Sequence, residues 1–191
     1  MHKLIATIGI LAAATAASAQ HHQQQAQPSP YAGQQDRSIK SLSDKEMADL
    51  LAGQGMGLAK AAELNGYPGP AHVLEHAQAL GLSNAQRSAS EALMLKHKAA
   101  AREIGKELVA AERGLDAAFA DKTIDAARLA GLTREIGLKQ AKLREEHLLT
   151  HLEQTALLTP EQVSRYAQLR GYAVAPGSQP AASEASQPKH H

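Results

Sequence analysis

Histidine is the residue type with most chemistry to offer in this chain. Two pairs stand at the spacing H-x3-H: His72 with His76, and His147 with His151. On a helix, a step of four puts both imidazoles on one face. That spacing can chelate zinc, nickel or copper. His97 is a further candidate, and Met94 lies three residues before it. His22 is a separate case. If an export signal is removed after Ala19, the chain begins Gln20-His21-His22. A free α-amine, two backbone amides and the His22 imidazole then make the square-planar nitrogen environment that Cu(II) and Ni(II) favour. None of these patterns demands a cofactor; zinc, nickel or copper is the ion they would take. Metal held this way is expected to leave below about pH 6.5, as imidazole protonates. The plainer reading of His97 and His147 is that of interfacial histidines bonded to Glu or backbone.

A basic stripe is the other chemical feature. Lys98, Arg102 and Lys106 recur every four residues. Such a face can attract acidic, unfolded segments of a client protein. Glu103, Glu107 and Glu112 run alongside, so a solvated surface is the competing account. No enzyme is expected. There is no Ser-His-Asp pattern, no nucleophile motif and no nucleotide loop; "GQGMG" at Gly53 follows no strand, as a phosphate loop requires.

These residues must be positioned by helices. The chain has 191 residues, no Cys, no Trp and one Phe, and Ala supplies much of its apolar content. A narrow helical core of Leu, Ile and Ala suits those numbers better than a broad aromatic one. The first stretch, "MHKLIATIGILAAATAASAQ", reads as a signal peptide over residues 1–19, with Ala17-Ser18-Ala19 as the cleavage site. Its apolar run is too short to span a bilayer. The expected product is a periplasmic protein with no membrane span. Removal of Lys3 leaves 19 basic against 19 acidic residues, which argues against a nucleic-acid binder. Residues 20–40, rich in Gln, His and Pro, read as a disordered linker, and residues 173–191 as a disordered tail. A helical domain is expected over residues 41–172.

Within it, a first helix is predicted over 44–64, with Gly53, Gly57 and Ala61 as a flat stripe for close packing. A second is predicted over 70–80. Two long helices follow, with Leu93, Ile104, Leu108, Leu115 and Phe119 facing Leu129, Leu132, Ile136 and Leu143. The break "ADKT" between them is short, so they must fold back as an antiparallel hairpin. That turn sets the register and places His97 level with residue 146 or 147.

The helix starts are written as capping boxes. Ser83 with Gln86 precedes the first long helix, and Thr159 with Gln162 follows the second. Ser43 with Glu46 makes a third box. The phrases Leu82-Ser83-Asn84-Ala85-Gln86 and Leu158-Thr159-Pro160-Glu161-Gln162, flanking a long hairpin in an exported chain, resemble the twin LTxxQ motifs of the Spy/CpxP family. The resemblance covers residues 70–172. It implies an all-α fold: a long antiparallel hairpin with shorter flanking helices, forming a cradle-like homodimer. It implies either an ATP-independent chaperone or stress accessory for unfolded envelope proteins, or a heavy-metal sensor or resistance protein. The second kind would work with a membrane sensor kinase or an anti-sigma partner. The metal-sensing branch carries H-x3-H before its first motif, matched by His72 and His76. Its carboxylate ligand aligns near Met94, and its later His nearer Thr150 than His147 or His151.

Overall fold

The computed structural model describes residues 29–172 and, among these, contains helices and no strand. Residues 29–33 belong to a first unit, in which the Ala32 N–H closes a turn onto Ser29 O at 2.9 Å. The second unit carries the helices: α1 Asp44–Ala52, α2 Lys60–Glu63, α3 Pro70–Glu75, α4 Asn84–Ala120, α5 Ala126–Ala156 and α6 Pro160–Leu169.

All three predicted boxes form. Ser43, Ser83 and Thr159 each accept from the backbone N–H three residues on, and Glu46, Gln86 and Gln162 reach back. α4 has 37 residues and α5 has 31, hence roughly 55 and 46 Å of length. Between them Lys122 takes a left-handed φ of 54°, and Asp125 caps α5 by accepting from Arg128 N–H at 2.8 Å.

The first predicted helix is not continuous. α1 stops at Gly53, whose φ is +66°. The Gly53 N–H donates to Leu50 O and the Gln54 N–H to Asp49 O, a Schellman closure. "GQGMG" is therefore a loop, and Gly53, Gly57 and Ala61 do not share a helix face. The close approach falls instead at Gly105 on α4, where any Cβ would run into the Leu50 carbonyl. The second predicted helix also ends early: α3 stops at Glu75, and turns carry the chain to Gly81.

The core has two parts. Ile39, Leu50, Ile104, Leu108, Val109, Ile136 and Leu143 join α1, α4 and α5. Val73, Leu80 and Tyr166 join α3 and α6 below them, with Leu82 and Leu158 packed alongside. Ile39 is fully buried, and the Lys40 N–H donates to Asp116 Oδ1 at 3.1 Å. Packed structure thus begins before the expected boundary at residue 41. At the far end Phe119 is 53% exposed, against its expected place in the stripe. Among the described residues, the segment leading into α1 bonds α4 at Glu112 and Asp116, and Lys40 and Ser41 share a surface cavity with Leu115, Phe119 and Ala120. None of the described helices is long and apolar enough to cross a membrane.

Candidate metal centre

Between the two apolar clusters the hairpin interior turns polar. Leu93 and Ile104 bracket His97 on α4, and Leu143 precedes His147 and Thr150 on α5. The predicted register is the one found. The His97 and His147 rings meet edge to face, with centroids 4.6 Å apart. A cleft of about 410 Å³ opens beside them. The "GQGMG" loop, α2 and the start of α3 close it, and His72, Met94, His97, His147 and His151 all line it. His76 is not among the lining residues. It is the C-cap of α3, where its backbone N–H donates to His72 O. His22 lies outside the described residues.

Three of the cleft imidazoles are held by Nδ1. Thr150 Oγ1 donates its one proton to Glu146 O at 2.8 Å, so it accepts from His97 Nδ1 at 2.9 Å. Glu146 Oε1, 3.1 Å away, accepts from the same nitrogen. His151 Nδ1 donates to Tyr67 O at 2.7 Å. His72 Nδ1 bonds Glu75 Oε2 at 3.0 Å, and that bond holds the Glu75 carboxyl below its ordinary range. A neutral imidazole that donates from Nδ1 keeps its lone pair on Nε2. This is how a protein orients a metal-ligating histidine.

His147 is different. It is 4% exposed, and its Nε2 is buried with no hydrogen-bond partner. Burial, then the neighbouring His97 and His151, push its imidazole down to about 4. A ring buried in this way stays neutral well below pH 6.5. Leaving a buried nitrogen unpaired costs about 1–3 kcal/mol. A metal ion would turn that orphan into a ligand, so the donor chemistry fits the group. Among the described residues, however, no three His, Asp or Glu side chains gather closely enough to hold a metal by themselves.

The family model for heavy-metal resistance matches residues 50–165. The chain belongs to the heavy-metal resistance family. This family lies in the Spy/CpxP group that the twin motifs indicated. The match spans both long helices of this heavy-metal resistance protein, α1's end, the "GQGMG" loop and all of the cleft lining except Arg170. Neither a curated protein nor a solved structure matches significantly.

The basic stripe is divided among three tasks. Lys98 lines the cleft, Arg102 Nε donates to Ala52 O at 3.4 Å, and Lys106 pairs with Glu103 at 2.7 Å. One cluster escaped the sequence reading. Glu63 of α2 accepts from Tyr166 Oη at 2.6 Å and Tyr172 Oη at 3.1 Å, with Arg170 Nε at 3.4 Å. Its other oxygen lies 3.7 Å from His151 Nδ1. Burial, then the bond to Glu63, push the Tyr166 phenol far up, so it remains a donor. The available signal was scarcity: of four tyrosines in the chain, two bond Glu63 through their phenols.

Proposed function

We propose that this protein is exported to the periplasm and binds a transition-metal ion there as part of heavy-metal resistance, by buffering or sensing it. The observation that carries the reading is the buried, unpartnered Nε2 of His147, in a cleft whose other imidazoles are each fastened by Nδ1. His147 of α5 would hold the ion together with cleft-lining side chains of α4. Once bound, it would cross-link α4 to α5 and stabilise the fold by mass action. The test is calorimetric titration of zinc, nickel and copper into wild type, His147→Ala and His76→Ala. Loss of heat in the first variant and not the second supports the reading; equal binding by all three proteins rejects it.

A second reading, the ATP-independent chaperone, is supported by apolar surface on the outside of α5. Leu138 is 66% exposed, and Leu149 and Leu152 are also open. Arg144 lies between them along the helix, which gives an unfolded, acidic client both apolar and cationic contacts. The same surface would serve a second copy of the chain in a homodimer. Apo protein should then suppress aggregation of an unfolding client without ATP. Charge reversal at Lys98, Arg102 and Lys106 would weaken holding only if the stripe takes part.

A further inference from the structure

The carboxylates at the cleft stand behind its imidazoles. Glu146 stands on the Nδ1 side of His97, Glu75 on that of His72 and Glu63 on that of His151. Glu63 is the one carboxylate in the lining; its Oε1 is taken by two phenols, and its Oε2 is buried 3.7 Å from His151 Nδ1 with no hydrogen-bond partner. Besides imidazole and that one carboxylate, what faces the cleft is thioether and positive charge. Met94 lies one turn before His97 on α4, and Met56 comes from the loop. Lys60 and Lys98 also line the cleft and pair with no carboxylate among the described residues.

Met56 has a φ of +46°, a left-handed backbone that glycine adopts freely. Its neighbours on both sides are Gly55 and Gly57. A non-glycine side chain there costs on the order of 1 kcal/mol. The one loop position that bears this strain without being glycine places a methionine in the lining of the cleft that holds the bare imidazole. A Cβ on Gly55 would lie 3.7 Å from His147 Cε1 and Nδ1, so the loop runs directly over that ring.

Charge and coordination number decide the class of ion. Hard divalent cations need several oxygen ligands, and structural zinc takes four N, S or O ligands. The absence of any three converging His, Asp or Glu among the described residues argues against both. Thioether selects Cu(I). A monovalent d10 ion is satisfied by two or three soft donors, and it meets half the repulsion from Lys60 and Lys98 that a divalent ion meets.

We propose that the cleft takes Cu(I), or its redox-inert counterpart Ag(I), between the His147 imidazole and the thioethers of Met94 and Met56, with the Gly53–Gly57 loop as the arm that brings Met56 in. This rests on the metal-binding reading above and narrows it to one class of ion. The full chain, labelled with 13C-methyl methionine, is titrated with Ag(I) in chloride-free buffer, and affinity is read against a Cu(I) chelator under anaerobic conditions. The methyl signals of Met56 and Met94 should move at one equivalent, and that of Met47, in the α1 core, should not. Met56→Leu and Met94→Leu should each lower Cu(I) affinity at least tenfold, and Met47→Leu should leave it unchanged. Because Met56 is exposed, Met56→Leu remains informative even where Met94→Leu disturbs α4. Unmoved Met56 and Met94 signals, or wild-type affinity in both variants, overturn the proposal. If zinc or nickel still binds and is lost in His147→Ala, the metal reading survives that result. If no metal depends on His147, both fail.

Discussion

The side chains of Gln86 and Gln162 exchange hydrogen bonds. Gln86 Nε2 donates to Gln162 Oε1 at 2.8 Å, and Gln162 Nε2 donates to Gln86 Oε1 at 3.1 Å. Each Nε2 spends its second proton on a carbonyl of the other strand of chain, Leu157 O and Leu80 O. Each Oε1 also accepts from its own cap residue, Ser83 N or Thr159 N. The repeated phrase is thus two halves of one clasp, which ties the start of α4 to the start of α6. Every donor and acceptor of both amides is used, so removing one member strands the other in a half-buried place.

Gln86→Ala and Gln162→Ala should each destabilise the protein by about 1–3 kcal/mol, the cost of leaving a buried polar group unpaired. The double variant should cost clearly less than the sum, because the second substitution removes an amide already stranded. Urea denaturation of the four proteins measures the coupling. Strict additivity would mean the two caps act alone.

His147 fixes a pH dependence. Its pKa falls from 6.5 in the unfolded chain to about 4 in the folded one. Between those values the unfolded state binds the extra proton, so stability rises with pH across the window. The contribution is complete above pH 6.5 and is lost as pH falls toward 4. It amounts to roughly 3 kcal/mol. His147→Gln removes the titration but keeps a polar side chain, so its stability should fall less between pH 7 and pH 4.5 than that of wild type. Parallel losses in the two proteins would count against a buried neutral imidazole.

What could be read from sequence and what could not divides along the range of the interactions. Ser43, Ser83 and Thr159 were legible because a capping box is closed within three residues. His97 opposite His147 was legible because a short turn leaves an antiparallel hairpin one register. The break at Gly53 was not. Its Gly-rich stretch is weakly disposed to either helix or loop, and the choice is made by α4, where Lys98 O lies 3.1 Å from a Cβ built on Gly53. The Glu63 cluster was hidden for the same reason, since Tyr166 and Tyr172 stand more than a hundred residues away in sequence. Among the metal candidates the H-x3-H spacing put His72 and His76 together. The helix that would have kept them on one face ends at Glu75.

Gly105 offers a test of the α1 crossing. Gly105→Ala would drive a methyl group into the Leu50 carbonyl, backbone that cannot swing aside as a side chain would. Overpacking of this kind costs about 1–3 kcal/mol, and α1 should lift from α4. Loss of hydrogen-exchange protection over Asp44–Ala52, with α5 protection kept, is the expected signature. A variant as stable as wild type would show that α1 does not lie across α4 at that residue.

Gly69 tests whether the Nδ1 bonds hold the cleft imidazoles in place. A Cβ there would lie 2.7 Å from His151 Nε2 and 2.8 Å from Cε1, so in Gly69→Ala the ring must turn. Turning breaks the 2.7 Å bond from Nδ1 to Tyr67 O. That bond is what fixes the proton on Nδ1, so a freed ring can carry it on either nitrogen. Nitrogen NMR of the histidines should show His151 as a single Nδ1–H tautomer in wild type and as a mixture in the variant. Metal affinity should fall with it if Nε2 of His151 is a donor, because a mixed tautomer offers the lone pair only part of the time. If the tautomer changes and affinity does not, His151 supports the cleft without touching the ion, and the donor set is His147 with the thioethers.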